Sequence, residues 1–134
     1  MPAKRYARVV APDGTAYVLA GNGPPAVFVH GLGLDADMWA EQVEALSGQF
    51  TVVAPDLLGH GLSPPPGQGA GVRDFARPVL ALIESLFSEP ARVIGFDLGG
   101  QVAIACAASQ STRVCSLTLI STAYRRLKSQ RDMM

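Results

Sequence analysis

Three observations predict an α/β fold for this 134-residue chain. Apolar runs of strand length alternate with segments of helical periodicity, in the order strand, helix, strand, helix, strand. The runs 26–29 and 50–54 are mostly unbroken, as strands covered on both faces read. Their spacing calls for right-handed crossovers and a mostly parallel sheet.

The chain opens on a β-hairpin. Residues Arg5 to Ala11 and Thr15 to Gly21 flank Asp13-Gly14, a dipeptide that favours a tight turn. The loop Asn22-Gly23-Pro24-Pro25 leads into the strand Ala26 to Val29. Asp37 to Leu46 reads as a helix, with Asp37 as its cap and Gly48 past its end. Trp39, Val43 and Leu46 share one face of it, which makes Trp39 a core residue. After the strand Phe50 to Ala54 comes a long loop through Pro64-Pro65-Pro66-Gly67-Gln68-Gly69.

A second helix starts near Asp74 and aligns Phe75, Val79, Ile83 and Leu86. Pro78 is placed in its first turn, where only one bond is lost, and Glu89-Pro90 ends the segment. Arg92 to Phe96 is a strand and Leu98 to Ser109 a helix of small residues suited to close approach. Val114 to Ile120 forms the last strand.

Hydrophobic residues make up 49% of the chain and charged ones 16%, which argues for a packed body and against disorder. Lys plus Arg and Asp plus Glu each count 11, so no net charge steers the chain toward nucleic acid or an anionic membrane. The basic group Arg125, Arg126, Lys128 and Arg131 reads as a solvated helix face. No apolar stretch follows Met1-Pro2-Ala3-Lys4-Arg5, and none approaches the ~20 residues of a membrane span, so the expected compartment is the cytoplasm. Cys106 and Cys115 read as small buried hydrophobes. With His30 and His60 as the two histidines and no CxxC pair, neither a metal site nor a cofactor is expected.

The stretch that carries chemistry is Gly95-Phe96-Asp97-Leu98-Gly99-Gly100. It has the G-x-S-x-G form of a nucleophile elbow, with Asp97 in the serine slot. Such a turn strains its central residue and lifts that side chain above the sheet, so Gly95 and Gly99 must be small. A helix N-terminus then lies under the reacting centre, where free amides favour negative charge.

Two further motifs stand upstream, each after a strand: His30-Gly31-Leu32-Gly33 with Trp39, and Pro55-Asp56-Leu57-Leu58-Gly59-His60-Gly61-Leu62-Ser63. With these three motifs in order, the sequence resembles the α/β-hydrolase superfamily from about Tyr6 to Tyr124. Around Gly31 to Trp39 it looks most like esterases, enol-lactone hydrolases and carbon–carbon bond hydrolases. The resemblance implies an incomplete α/β-hydrolase core over residues 1–121 and the start of a lid over 122–134. It implies Asp97 at the nucleophile position, an oxyanion hole from the Leu32 and Leu98 amides, and His30-Gly31 as a brace for that loop. The implied reaction is hydrolysis of a small carboxylic ester or lactone, without cofactor, nucleic acid or membrane.

Two departures qualify the resemblance. An aspartate nucleophile is typical of dehalogenases and epoxide hydrolases, which attack carbon and form an ester on the enzyme. Those enzymes often carry Trp or Arg after the aspartate, and haloalkane dehalogenases a halide partner such as Asn after His-Gly; here Leu98 and Leu32 stand at those positions. An apolar pair leaves only backbone donors, which suits an acyl oxyanion. The second departure is that no histidine follows Asp97. His30, His60 and Asp56 read as loop organisers, so this chain alone is expected not to turn over, and a ligand-binding remnant is the non-catalytic alternative. The apolar strand Ser116 to Ile120 is then expected at a sheet edge, open to pairing with another chain.

Overall fold

The structure is a computed structural model that describes residues 6–123. Six strands form one sheet: β1 (Ala7–Val10), β2 (Ala16–Ala20), β3 (Pro25–Val29), β4 (Thr51–Pro55), β5 (Ala91–Phe96) and β6 (Val114–Ile120). Their spatial order is β1-β2-β4-β3-β5-β6. β1 and β2 pair antiparallel, as do β2 and β4; β4, β3, β5 and β6 run parallel. The parallel run puts the C-terminal ends of β3, β4 and β5 on one edge of the sheet. All three motifs begin there.

The helices are α1 (Ala40–Leu46), α2 (Val72–Leu86) and α3 (Leu98–Ser109). Alternation along β3 divides the core between the two faces. Val27 and Val29 join Val53, Val79, Ile83, Val93, Val102 and Cys106 beneath α2 and α3. Ala26 and Phe28 face the other way, with Val43, Val52 and Trp39. Trp39 is buried, and its ring lies 5.1 Å from that of Phe28 at 60°, a tilted aromatic pair.

Three local expectations are corrected. Asp35, not Asp37, caps the first helical segment: its carboxylate accepts the Asp37 N–H at 2.9 Å. That segment begins as a 3-10 turn (Ala36–Trp39), and the Asp37 carboxylate is drawn to Arg8 of β1 instead. Pro78 lies beyond the first turn of α2, which starts at Val72, so the lost bond is the one that would reach the Asp74 carbonyl. Cys106 is buried, but Cys115 is exposed, because β6 ends the sheet among the described residues.

Leu117, Leu119 and Ile120 on β6 are exposed as well. The lid expectation over 122–134 lies outside the described residues except for Thr122 and Ala123, as do the basic residues from Arg125 onward. Among the described residues no helix is long and apolar enough to cross a membrane.

Arg113 fastens α2 to the strand that follows α3. Its guanidinium donates to the carbonyls of Ile83 (3.1 Å), Phe87 (2.6 Å) and Ser88 (3.3 Å) at the C-terminal end of that helix. A cation there meets both the orphan carbonyls and the negative end of the helix dipole. Arg113→Ala should lower stability by about 2 kcal/mol, on the scale of charge-assisted bonds at half-buried carbonyls. An unchanged urea midpoint would contradict it.

Candidate active site

Asp97 sits at φ 53 and ψ −118, a backbone conformation that side chains rarely adopt. Surrounding bonds hold it there. The Asp97 N–H donates to the Ile120 carbonyl at 3.0 Å, and the Asp97 carbonyl accepts from Gly100 N–H (3.0 Å) and the Thr122 hydroxyl (3.3 Å). The turn therefore joins the end of β5, the start of α3 and the end of β6. Gly95 and Gly99 are buried within it. A Cβ on Gly95 would run into the backbone of Gly99 and Gly100, and one on Gly99 into the backbone of Val29 and His30.

The Asp97 side chain is exposed and does not turn back to cap its own helix. Its Oδ2 accepts the backbone N–H of Leu32 at 3.2 Å. Leu98 and Gly99 open α3 ahead of its first backbone bonds, which run from Gly100 and Gln101 to the Asp97 carbonyl. Leu98 itself is half-buried, whereas the Leu32 side chain is 70% exposed. Gly31 lets the Leu32 loop come this close. A Cβ there would meet the Phe96 ring at 2.7 Å and the Asp97 Cβ at 3.2 Å.

The direction of the Leu32 N–H is set from behind. In a trans peptide the carbonyl and the following N–H point opposite ways. His30 Nδ1 lies 2.8 Å from the Gly31 carbonyl, so a bond on that side aims the Leu32 N–H at Asp97. His30 Nε2 accepts the Leu57 N–H at 2.9 Å, which assigns the ring proton to Nδ1. His60 repeats the pattern one peptide further on. Its Nε2 accepts the Gly33 N–H at 3.0 Å, and its Nδ1 lies 2.9 Å from the Leu58 carbonyl. All four ring nitrogens are thus engaged by loop backbone.

Asp56 completes the scaffold. Buried at the end of β4, it accepts from Ala36 N–H (2.8 Å) and Leu62 N–H (3.0 Å), with an Arg8 guanidinium nitrogen 3.7 Å away. Gly61, at φ 51, gives the carboxylate room, since a Cβ there would overlap it. The Ser63 hydroxyl ties this loop down, donating to the Asp56 carbonyl at 2.6 Å and accepting the Ala16 N–H at 3.0 Å. Among the described residues no group of three or more His, Cys, Asp or Glu could hold a metal ion.

Sequence reasoning missed two contributors. Asp35 matched the cap chemistry as well as Asp37 did, so the cap was legible but not its position. The tie from His60 to Gly33 had no signal, because its partner is a backbone amide 27 positions away.

Burial holds the His30 pKa below the ordinary imidazole value of 6.5, and the nearby His60 adds to the effect. The bond to the Gly31 carbonyl and the charges of Asp56 and Asp35 oppose it. Below pH 6.5 the unfolded chain therefore takes a proton that the folded chain excludes. The stability tied to neutral His30 is complete above that pH and is lost as pH falls from there through the folded-state pKa. Urea midpoints at pH 7.5 and 5.5 should fall with acid in the parent, and fall less in His30→Gln. Equal slopes would contradict the assignment.

A six-stranded, mostly parallel sheet with helices on both faces, carrying an elbow after β5 and two motif loops beside it, defines an α/β-hydrolase core. The family profile described as alpha/beta hydrolase fold matches residues 24–133, and the chain belongs to that family. It is similar to the soluble epoxide hydrolase of Corynebacterium sp. (strain C12), at 44% identity over 87 residues, 65% of this chain and 30% of that protein. Another relative is the pimeloyl-[acyl-carrier protein] methyl ester esterase of Chromobacterium violaceum, at 38% identity over 110 residues, 82% of this chain and 41% of that protein. Among solved structures, E-2-(acetamidomethylene)succinate hydrolase superposes with a TM-score of 0.86 at 27% identity, over 96% of this chain and 49% of that one. The chain thus spans well under half the length of the two curated relatives described.

Proposed function

We propose that Asp97 is a displacement nucleophile of an epoxide-opening hydrolase. The observation that carries this reading is the 3.2 Å bond from the Leu32 N–H to Asp97 Oδ2. In an acyl hydrolase built on a serine, that amide is aimed at the substrate carbonyl. Here it is aimed at the nucleophile's own carboxylate, which leaves Oδ1 as the attacking atom.

Attack of Oδ1 on an epoxide carbon forms a C–O bond and breaks the ring C–O bond. The ring oxygen leaves as an alkoxide and takes a proton from water. The product is a hydroxyalkyl ester of Asp97, with Oδ2 as its carbonyl oxygen, still beside the Leu32 amide. Water attacking that ester places the oxyanion on the same atom, beside the Leu32 amide, with Leu98 as the proposed second donor. This gives the Leu32 donor two uses: it holds Oδ2 so that Oδ1 faces the epoxide in the first step, and it receives the oxyanion of the protein-bound ester in the second. Similarity to the Corynebacterium soluble epoxide hydrolase supports the reading.

Breakdown of the ester needs a base. Both histidines of this sequence precede Asp97, and their nitrogens bind loop backbone. The 134-residue chain should therefore react once with styrene oxide and retain the adduct. Intact mass spectrometry should show one added epoxide mass, mapped to the Asp97 peptide and missing in Asp97→Asn. No adduct on the parent would sink the proposal.

A second reading, hydrolysis of a small carboxylic ester or lactone, is favoured by the apolar pair Leu32 and Leu98 and by the Chromobacterium esterase. Release of nitrophenol from p-nitrophenyl acetate that survives in Asp97→Asn would select it. Pairing of another chain along Ser116 to Ile120 belongs to the same proposal, and a single monomer species in sedimentation would remove it.

A further inference from the structure

We infer that His60 is a positioning residue for the reaction proposed at Asp97, on which reading the inference rests, and that it acts only as the neutral imidazole. The two histidines form successive rungs between the loops that follow β3 and β4. His30 joins the Gly31 carbonyl to the Leu57 N–H, and His60 joins the Gly33 N–H to the Leu58 carbonyl. Their rings lie 5.0 Å apart. Between the two upper attachment points stands Leu32, whose N–H reaches Asp97. One rung fixes the peptide before Leu32 and the other the peptide after it, so the donor has no free neighbouring peptide about which to swing.

The rungs differ in accessibility. His30 is fully buried, while His60 is half-buried and its bond to Gly33 lies near solvent. Gly33 is exposed at φ 77, with nothing within 4 Å of where a Cβ would stand; besides His60, the turn that holds it is closed by the Leu34 N–H donating to the Gly31 carbonyl at 3.1 Å. A proton on His60 Nε2 would turn an acceptor into a donor facing the Gly33 N–H, and that bond would be lost. The ionisable group facing His60 is His30 on the β3 loop, which in turn feels Asp56 at the end of β4 and Asp35 at the head of the 3-10 turn. The Leu32 amide is then loosened in acid from the His60 side while His30 still holds the other.

The test reads the amide directly. In the 15N-labelled chain, the hydrogen-exchange protection of the Gly33 amide is followed from pH 8 to pH 5, in the parent and in His60→Gln, whose side-chain oxygen can accept but not titrate. The parent should lose about fivefold of its protection between pH 8 and pH 5, the scale of one net hydrogen bond. His60→Gln should keep its protection flat. In parallel, the rate of styrene oxide addition to Asp97 should fall with acid in the parent and fall less in His60→Gln. Gly33 protection that is constant in the parent, or declines identically in the variant, overturns the role of His60. Absence of the adduct at every pH, with the Gly33 response intact, overturns the reaction at Asp97 instead and leaves the rung standing.

Discussion

Gly99→Ala should destabilise the fold by about 3 kcal/mol, at the upper end of overpacking costs. Helix propensity alone predicts the reverse, since Ala exceeds Gly by about 1 kcal/mol inside a helix. The sign is set by what the new methyl would meet. Gly99 lies in the first turn of α3, and its Cβ would fall inside contact distance of the Val29 and His30 carbonyl oxygens. Those are backbone atoms at and just past the end of β3, where Val29 is paired with Gly95 of β5, and they cannot rotate aside. α3 would have to lift from the sheet and take the Asp97 turn with it, so adduct formation should vanish in the same variant. Gly48→Ala is the control: it is exposed, with nothing within 4 Å of its Cβ, and should stay within about 0.5 kcal/mol of the parent. If urea midpoints of Gly99→Ala and the parent coincide, the packing of α3 against β3 is refuted.

What the sequence made legible follows the range of the interactions involved. The bounds of α3 and β6 coincide with those read from the motif and the apolar run, because a strand-to-helix kink and an unbroken hydrophobic segment are local signals. The burial of Trp39 was equally local, a matter of helical spacing. The choice between Asp35 and Asp37 as cap was not. Both fit the chemistry, and the decision came from Arg8, brought in by the hairpin to occupy Asp37. Cys115 was misread because an apolar run promises cover on both faces, whereas the order of strands leaves β6 at one end. At the site, the motif residues were recognisable one by one. Their mutual arrangement was not: the Leu32 amide turned onto Asp97, and the two histidines spanning the loops, depend on peptide orientations that no spacing in the chain encodes.

Replacing Asp97 should separate reactivity from stability. Asp97→Asn, Asp97→Ala and Asp97→Gly all remove the carboxylate, so each should lower adduct formation below about one thousandth of the parent rate, the scale on which loss of a nucleophile acts. Their stabilities should diverge. At φ 53 and ψ −118 a side chain is held in a region glycine enters freely, at a strain of about 1–3 kcal/mol. Glycine relieves that strain but loses more freedom on folding, by about 0.5–1 kcal/mol relative to alanine. Neither replacement keeps the exposed bond to the Leu32 N–H, so that loss cancels between them. Asp97→Gly should therefore be more stable than Asp97→Ala by about 1 kcal/mol, and at least as stable as the parent. Under the proposed reaction, strain is kept at the residue that attacks, since relaxing the turn would let the carboxylate leave the Leu32 amide. An alanine variant as stable as the glycine variant would show that the turn is unstrained.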